Sequence, residues 1–143
     1  MAAEQGALVT WATFSSARSE LGAAFGRILG YFREDGFKSV VAIEEAMRAQ
    51  NAAAMVIPAH TLKGEARQFG ADPLSDLAEV IEMIARDCVE THETPSEALE
   101  HVVALRPLFE QTLALLDREA NPLVQRAAGG GFGRKTVFGR ATA

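Results

Sequence analysis

Cysteine is nearly absent from this sequence, with one in 143 residues, and tryptophan and tyrosine also occur once each. A lone Cys88 excludes an intramolecular disulfide and suits a reducing compartment. Long apolar runs are missing as well. The longest, Ala52 to Ala59, falls far short of the roughly 18 residues a membrane helix needs. The start, Met1-Ala2-Ala3-Glu4-Gln5, has neither the basic and apolar segments of a secretory signal nor a glycine after Met1 for myristoylation. A cytoplasmic protein with no membrane association is therefore expected. No Gly-rich phosphate loop or paired kinase motif occurs, so direct use of ATP is not expected. Glu-x-x-His pairs on two helices are also lacking, which disfavours a metal enzyme on a bundle scaffold.

Basic residues are scarce in most of the chain. Residues 1–120 hold 10 Lys/Arg against 19 Asp/Glu, a balance of −9, whereas residues 121–143 hold Arg126, Arg134, Lys135 and Arg140 and no acid, a balance of +4. An acidic body argues against nucleic acid as the main ligand, because that binding depends on clustered cations. With 48% of its residues hydrophobic, a chain of this length buries about 70% of its unfolded surface and needs no structural metal.

What is present is helical periodicity, and no run of alternating β-branched residues interrupts it. A short leading segment carries Leu8, Trp11 and Phe14. A first long helix is predicted from about Ser19 to Asp35, ended by Gly36, and a second from about Phe37 to Gln50. Asn51 is a plausible N-cap for a third, in which Met55, Ala59, Leu62, Ala66 and Phe69 make one apolar seam. Gly70 stops it. Asp72 as N-cap and Pro73 in the first turn open a fourth helix to about Glu90, with Leu74, Leu77, Ala78, Ile81, Ala85 and Cys88 on one side. Thr94-Pro95-Ser96-Glu97 has capping-box spacing and opens a fifth, which Asn121-Pro122 ends. Pro58 and Pro107 fall inside predicted helices, where kinks or boundaries are expected. The predicted fold is all-α: an antiparallel up-and-down four-helix bundle with a short extra N-terminal helix over residues 1–120. Residues 121–143, with Gly129-Gly130-Gly131 and two copies of Phe-Gly-Arg, have the composition of a flexible basic tail.

One histidine stands out. His60 is one helical step of about 100° from Ala59, which puts it at the rim of the seam. Lys63, Gly64 and Arg67, three, four and seven positions on, share its face. An ordinary imidazole is mostly neutral at pH 7 and has a nucleophilic nitrogen, so this face suits a histidine that carries a phosphoryl group. Lys63 would offset part of the charge that phosphorylation adds, and Gly64 would leave room for oxygens and for a partner surface. In a hairpin turning at Gly70 to Pro73, Glu82 lies nearly as far from the turn as His60. A carboxylate there would fix the imidazole tautomer. Equally, Glu79, Glu82 and Arg86 are spaced for ordinary surface salt bridges. Arg67 suits either an acidic partner or a local carboxylate, and His92 and His101 read as surface residues.

The segment Ala59-His60-Thr61-Leu62-Lys63-Gly64-Glu65-Ala66-Arg67-Gln68-Phe69-Gly70-Ala71 strongly resembles the histidine-containing phosphotransfer (HPt) domain of bacterial phosphorelays, whose motif runs His-x-x-Lys-Gly with a small residue and a Gly downstream. The resemblance extends over roughly residues 8 to 118, taking in Phe32 to Gly36 and Leu74, Leu77, Ala78 and Glu82. It implies a phosphocarrier in which His60 accepts a phosphoryl group from one receiver aspartate and passes it to another. Lys63 would lie near that group and Gly64 would give access. Glu82 resembles the carboxylate that contacts the imidazole in related chemotaxis-kinase domains. Glu65, where a small residue is common, adds a negative charge near the site, and Pro58 precedes the histidine by half a turn.

On this reading the protein has no resident cofactor or metal, Mg²⁺ being supplied by the receiver. Its partners are response-regulator receiver domains and a hybrid histidine kinase, with Arg67 and Gln68 as candidate partner-binding residues, and it is a monomer. The alternative is a helical adaptor that binds receivers or other regulators without carrying phosphate.

Overall fold

The computed structural model describes residues 8–121. Among the described residues there is no strand, and five α-helices run in the order α1 Trp11–Leu21, α2 Phe25–Arg48, α3 Ala52–Gln68, α4 Asp72–Thr91 and α5 Leu99–Ala120. Three-residue 3₁₀ turns, Gly22–Ala24 and Ser96–Ala98, precede α2 and α5. The chain divides at Leu113 and Ala114. The bundle belongs to the first unit; of the second, the described part is the end of α5 and Asn121. The tail expected from Asn121 on lies, apart from that residue, outside the described residues.

The helices are the predicted ones with one merger. Gly36 does not end a helix: α2 runs unbroken through it, so the two helices expected from Ser19 to Gln50 are one. The physical reason is packing. A Cβ on Gly36 would stand 2.7 Å from Cε1 of Phe109, so glycine here admits an aromatic ring against the backbone of α2. The break nearer the N-terminus falls at Gly22 (φ +54), and Ser19 belongs to α1.

Three helix ends share one device. At α2, α3 and α4 the residue in the left-handed region is Gln50, Gly70 and His92, and the following N–H reaches five residues back: Asn51 to Ala46 (2.9 Å), Ala71 to Ala66 (2.9 Å) and Glu93 to Cys88 (2.8 Å). At Gly70 the backbone also leaves no room, since a Cβ would lie 2.5 Å from the carbonyl oxygen of Thr10.

Asn51 caps α3 as predicted, its Oδ1 accepting from Ala54 N–H at 3.1 Å. Asp72 is not a cap. It is the first residue of α4, and its carboxylate instead accepts from the Thr10 hydroxyl at 2.8 Å, which with Thr10 N–H to Gly70 C=O (2.7 Å) fastens α1 to the α3–α4 turn. The capping box at Thr94 is not formed either; Thr94 Oγ1 meets Ser96 Oγ, and α5 starts at Leu99. Helices α3 and α5 continue through Pro58 and Pro107 with no boundary, each proline costing one backbone donor in a helix held by its packing.

The seam is fully buried at Met55, Ala59, Leu62 and Ala66 of α3 and at Phe69 just past its end, and α3 packs on α4, where Leu74, Ala78, Ile81 and Ala85 are also fully buried. Leu77 is only half-buried. Four of these are alanines, so α3 and α4 pack with little side-chain bulk between them. Ser75 Oγ donates to Lys63 C=O at 2.9 Å, pinning the register of the pair. Aromatic edges link the rest of the core: Trp11, Phe14, Phe25, Phe69, Phe32 and Phe109 follow one another at centroid distances of 5.2 to 6.0 Å, tying α1, α2, α3 and α5 together.

Candidate functional site

The α3–α4 hairpin decides what His60 meets. Its side chain stays 59% exposed at the rim of α3, and its Nδ1 lies 2.9 Å from Oε2 of Glu82 on α4. Glu82 is not a surface residue: its side chain is only 5% exposed. Three groups share its carboxylate. Lys63 Nζ is 2.9 Å from Oε1, while Oε2 accepts from Arg86 Nε at 2.9 Å and lies 2.8 Å from Arg86 Nη2, as well as meeting the imidazole. Burial pushes the Glu82 carboxyl up, but contacts from Lys63, Arg86 and His60 outweigh it and bring the group down to about 2.

The charge on Glu82 assigns the imidazole proton. An ionised carboxylate can only accept, so the ring nitrogen facing it, Nδ1, must carry the hydrogen. The lone pair of the neutral ring is then on Nε2, the other nitrogen of an exposed side chain. A ring held through one nitrogen, with the lone pair of the other turned away from that contact, has the arrangement a nucleophile needs.

Gly64 is exposed, with no atom within 4 Å of where a Cβ would stand. Among the described residues, packing does not require glycine there. Arg67 lies against local carboxylates, its Nη2 3.3 Å from Asp76 Oδ1 and 3.9 Å from Glu79 Oε1. Gln68 is exposed at the end of α3, eight positions after His60. Glu65 does not add a charge at the site. It lies about 140° round the helix from His60 and faces Asp35 of α2. Burial, and then the Asp35 charge, raise its carboxyl to about 7, and its Oε1 is buried with no hydrogen-bond partner among the described residues.

Sequence reasoning placed His60, Lys63, Gly64 and Glu82 in one neighbourhood and passed over Arg86. The signal was its i+4 spacing from Glu82, which reads as a surface pair until Glu82 is seen to be buried. Ser75, which fixes the hairpin register, gave no motif at all. Of the remaining histidines, His92 forms a helix end and His101 is half-buried.

Among the described residues no group of three or more His, Cys, Asp or Glu is placed to hold a metal ion, and no helix is long and apolar enough to cross a membrane. A family model described as Hpt domain matches residues 27–125, which leaves α1 ahead of the matched region. Comparisons with curated proteins and with solved structures returned no match.

Proposed function

The chain belongs to the Hpt domain family, and from that premise we propose that it relays a phosphoryl group between receiver-domain aspartates through His60. Hpt domains are phosphocarrier modules of phosphorelays, not kinases. The observation that carries the assignment to His60 is its exposed imidazole, held through Nδ1 by a buried, ionised Glu82.

In the proposed step the Nε2 lone pair attacks the phosphorus of a partner's aspartyl phosphate. The N–P bond forms as the P–O bond to the aspartate breaks, and that bond's electron pair leaves with the aspartate as a carboxylate. The proton stays on Nδ1. The ring thereby becomes cationic, and Glu82 stabilises that charge where it develops. Return to an acceptor aspartate is the same step reversed. Lys63 offsets phosphoryl charge and Gly64 lets the partner surface approach. Arg67 and Gln68 are proposed at the edge of the partner contact. Any Mg²⁺ belongs to the receiver, so this chain needs no cofactor of its own. On this reading the protein works in the cytoplasm as a monomer, and a hybrid kinase and response regulators compete for one face.

Incubation with phosphorylated receivers tests this. Acid-labile, alkali-stable label that disappears in His60→Gln is the expected result. Label that survives His60→Gln would overturn the site, and failure to label with any receiver would favour the adaptor reading.

A further inference from the structure

Around the Glu82 carboxylate the charges do not balance. Two fixed cations, Lys63 and Arg86, contact one carboxylate, and the third contact is the His60 imidazole, which attacks through Nε2 only in its uncharged form. One positive charge is left over beside the nucleophile. Addition of a phosphoryl group to His60 adds one net negative charge, two on the oxygens less one on the ring, and brings the cluster to neutrality.

The two cations are held differently. Lys63 is 24% exposed and occupies Oε1 alone. Arg86 is 57% exposed and shares Oε2 with the imidazole. Two groups bonded to one oxygen stand within about 6 Å of each other, so the guanidinium already lies beside the ring. Its fork of donors matches phosphoryl oxygens, and its loss need not leave Glu82 unpaired. Once the ring is cationic, its Nδ1–H gives Glu82 a charge-assisted hydrogen bond in place of the one from Arg86.

We propose that Arg86 is the side chain that grips the phosphoryl group: it holds Glu82 while His60 is bare and moves to the phosphoryl oxygens once Nε2 is phosphorylated. This rests on the reading of His60 as the carrier, and goes beyond it by giving Arg86 a role that changes with phosphorylation state. In the bare protein Arg86 is a positioning residue, acting on the imidazole through Glu82.

The test uses the full chain labelled with phosphoramidate, a small donor that needs no receiver; its P–N bond breaks, ammonia leaves, and the phosphoryl group passes to His60. ³¹P NMR then follows the second ionisation of the phosphoryl group in wild type, Arg86→Gln and Arg86→Lys, with melting curves of the unlabelled proteins as a check on folding. A guanidinium at the oxygens favours the dianion, so Arg86→Gln should shift that ionisation upward by about one pH unit, a tenfold change in proton affinity, and Arg86→Lys should recover most of it. A purely structural role would not move this titration. In labelled wild type, the Arg86 Nε–H resonance should shift away from its carboxylate-bonded position. Coincident titrations for wild type and Arg86→Gln, or an unmoved Arg86 resonance, would overturn the proposal while leaving His60 as carrier. Absence of label on His60 in wild type, from phosphoramidate and receivers alike, would instead remove the phosphocarrier reading itself.

Discussion

His60 and Glu82 are 22 residues apart in the chain and 2.9 Å apart across the α3–α4 seam, yet one side chain is 59% exposed and the other 5%. The asymmetry divides the work between them. The buried partner keeps a fixed charge and a fixed position, and the exposed one remains open to a second molecule.

Acid should loosen the hairpin in a defined window. The Glu82 carboxyl titrates at about 2 in the folded protein, below its ordinary 4.5. Its ion pairs therefore contribute fully above about pH 4.5 and are lost as pH falls toward 2, a change of roughly 2 to 3 kcal/mol. Urea unfolding of wild type and Glu82→Gln between pH 2 and 6 checks this: the variant should be less stable at pH 6 and should lack most of the acid-side slope.

Glu65 should act with the opposite sign. Its folded carboxyl is raised to about 7, so the folded state holds a proton that the unfolded chain releases near 4.5. The Glu65 contribution to stability is therefore fully present below 4.5 and is lost as pH rises through 7. Glu65→Gln removes the buried charge and should stabilise the protein by about 1 to 2 kcal/mol at pH 8, with little effect at pH 4.5, as read by unfolding at the two pH values.

Two helical glycines should respond oppositely to alanine. At Gly36 the new methyl meets the Phe109 ring 2.7 Å away, and a loss of about 1 to 3 kcal/mol is expected. At Gly64 the methyl enters open space, and helix propensity should add up to about 1 kcal/mol. Gly64→Ala should nonetheless slow transfer from receivers more than labelling by phosphoramidate, because only the receiver brings a surface against the helix. Melting curves and the two labelling rates separate these effects.

His92 holds a left-handed backbone (φ +60) at the end of α4. Glycine takes that conformation without the Cβ penalty, so His92→Gly should raise stability by about 1 kcal/mol in urea unfolding, with no loss of phosphoryl transfer.

Local signals were sufficient for much of the fold. The apolar steps on α3 and α4, the Asn51 cap and the Gly70 stop are written within a few residues of where they act, and so they could be read directly. Where the deciding contact was distant, reading failed. Gly36 resembled a helix stop because only Phe109, 73 positions later in the chain, shows why a glycine belongs there. Asp72 resembled a cap until Thr10 claimed its carboxylate.

At the site the division is the same. Sequence by itself determined that an imidazole, an ammonium and a missing side chain share one helical face, because helical spacing is local geometry. It also put Glu82 at a matching distance from the turn. Tertiary structure decided that Glu82 is buried and charged, that Arg86 belongs to its carboxylate, and that Glu65 faces away toward Asp35. Those depend on how closely two alanine-lined helices approach and on which side chains solvent can still reach, and neither is encoded at any single position.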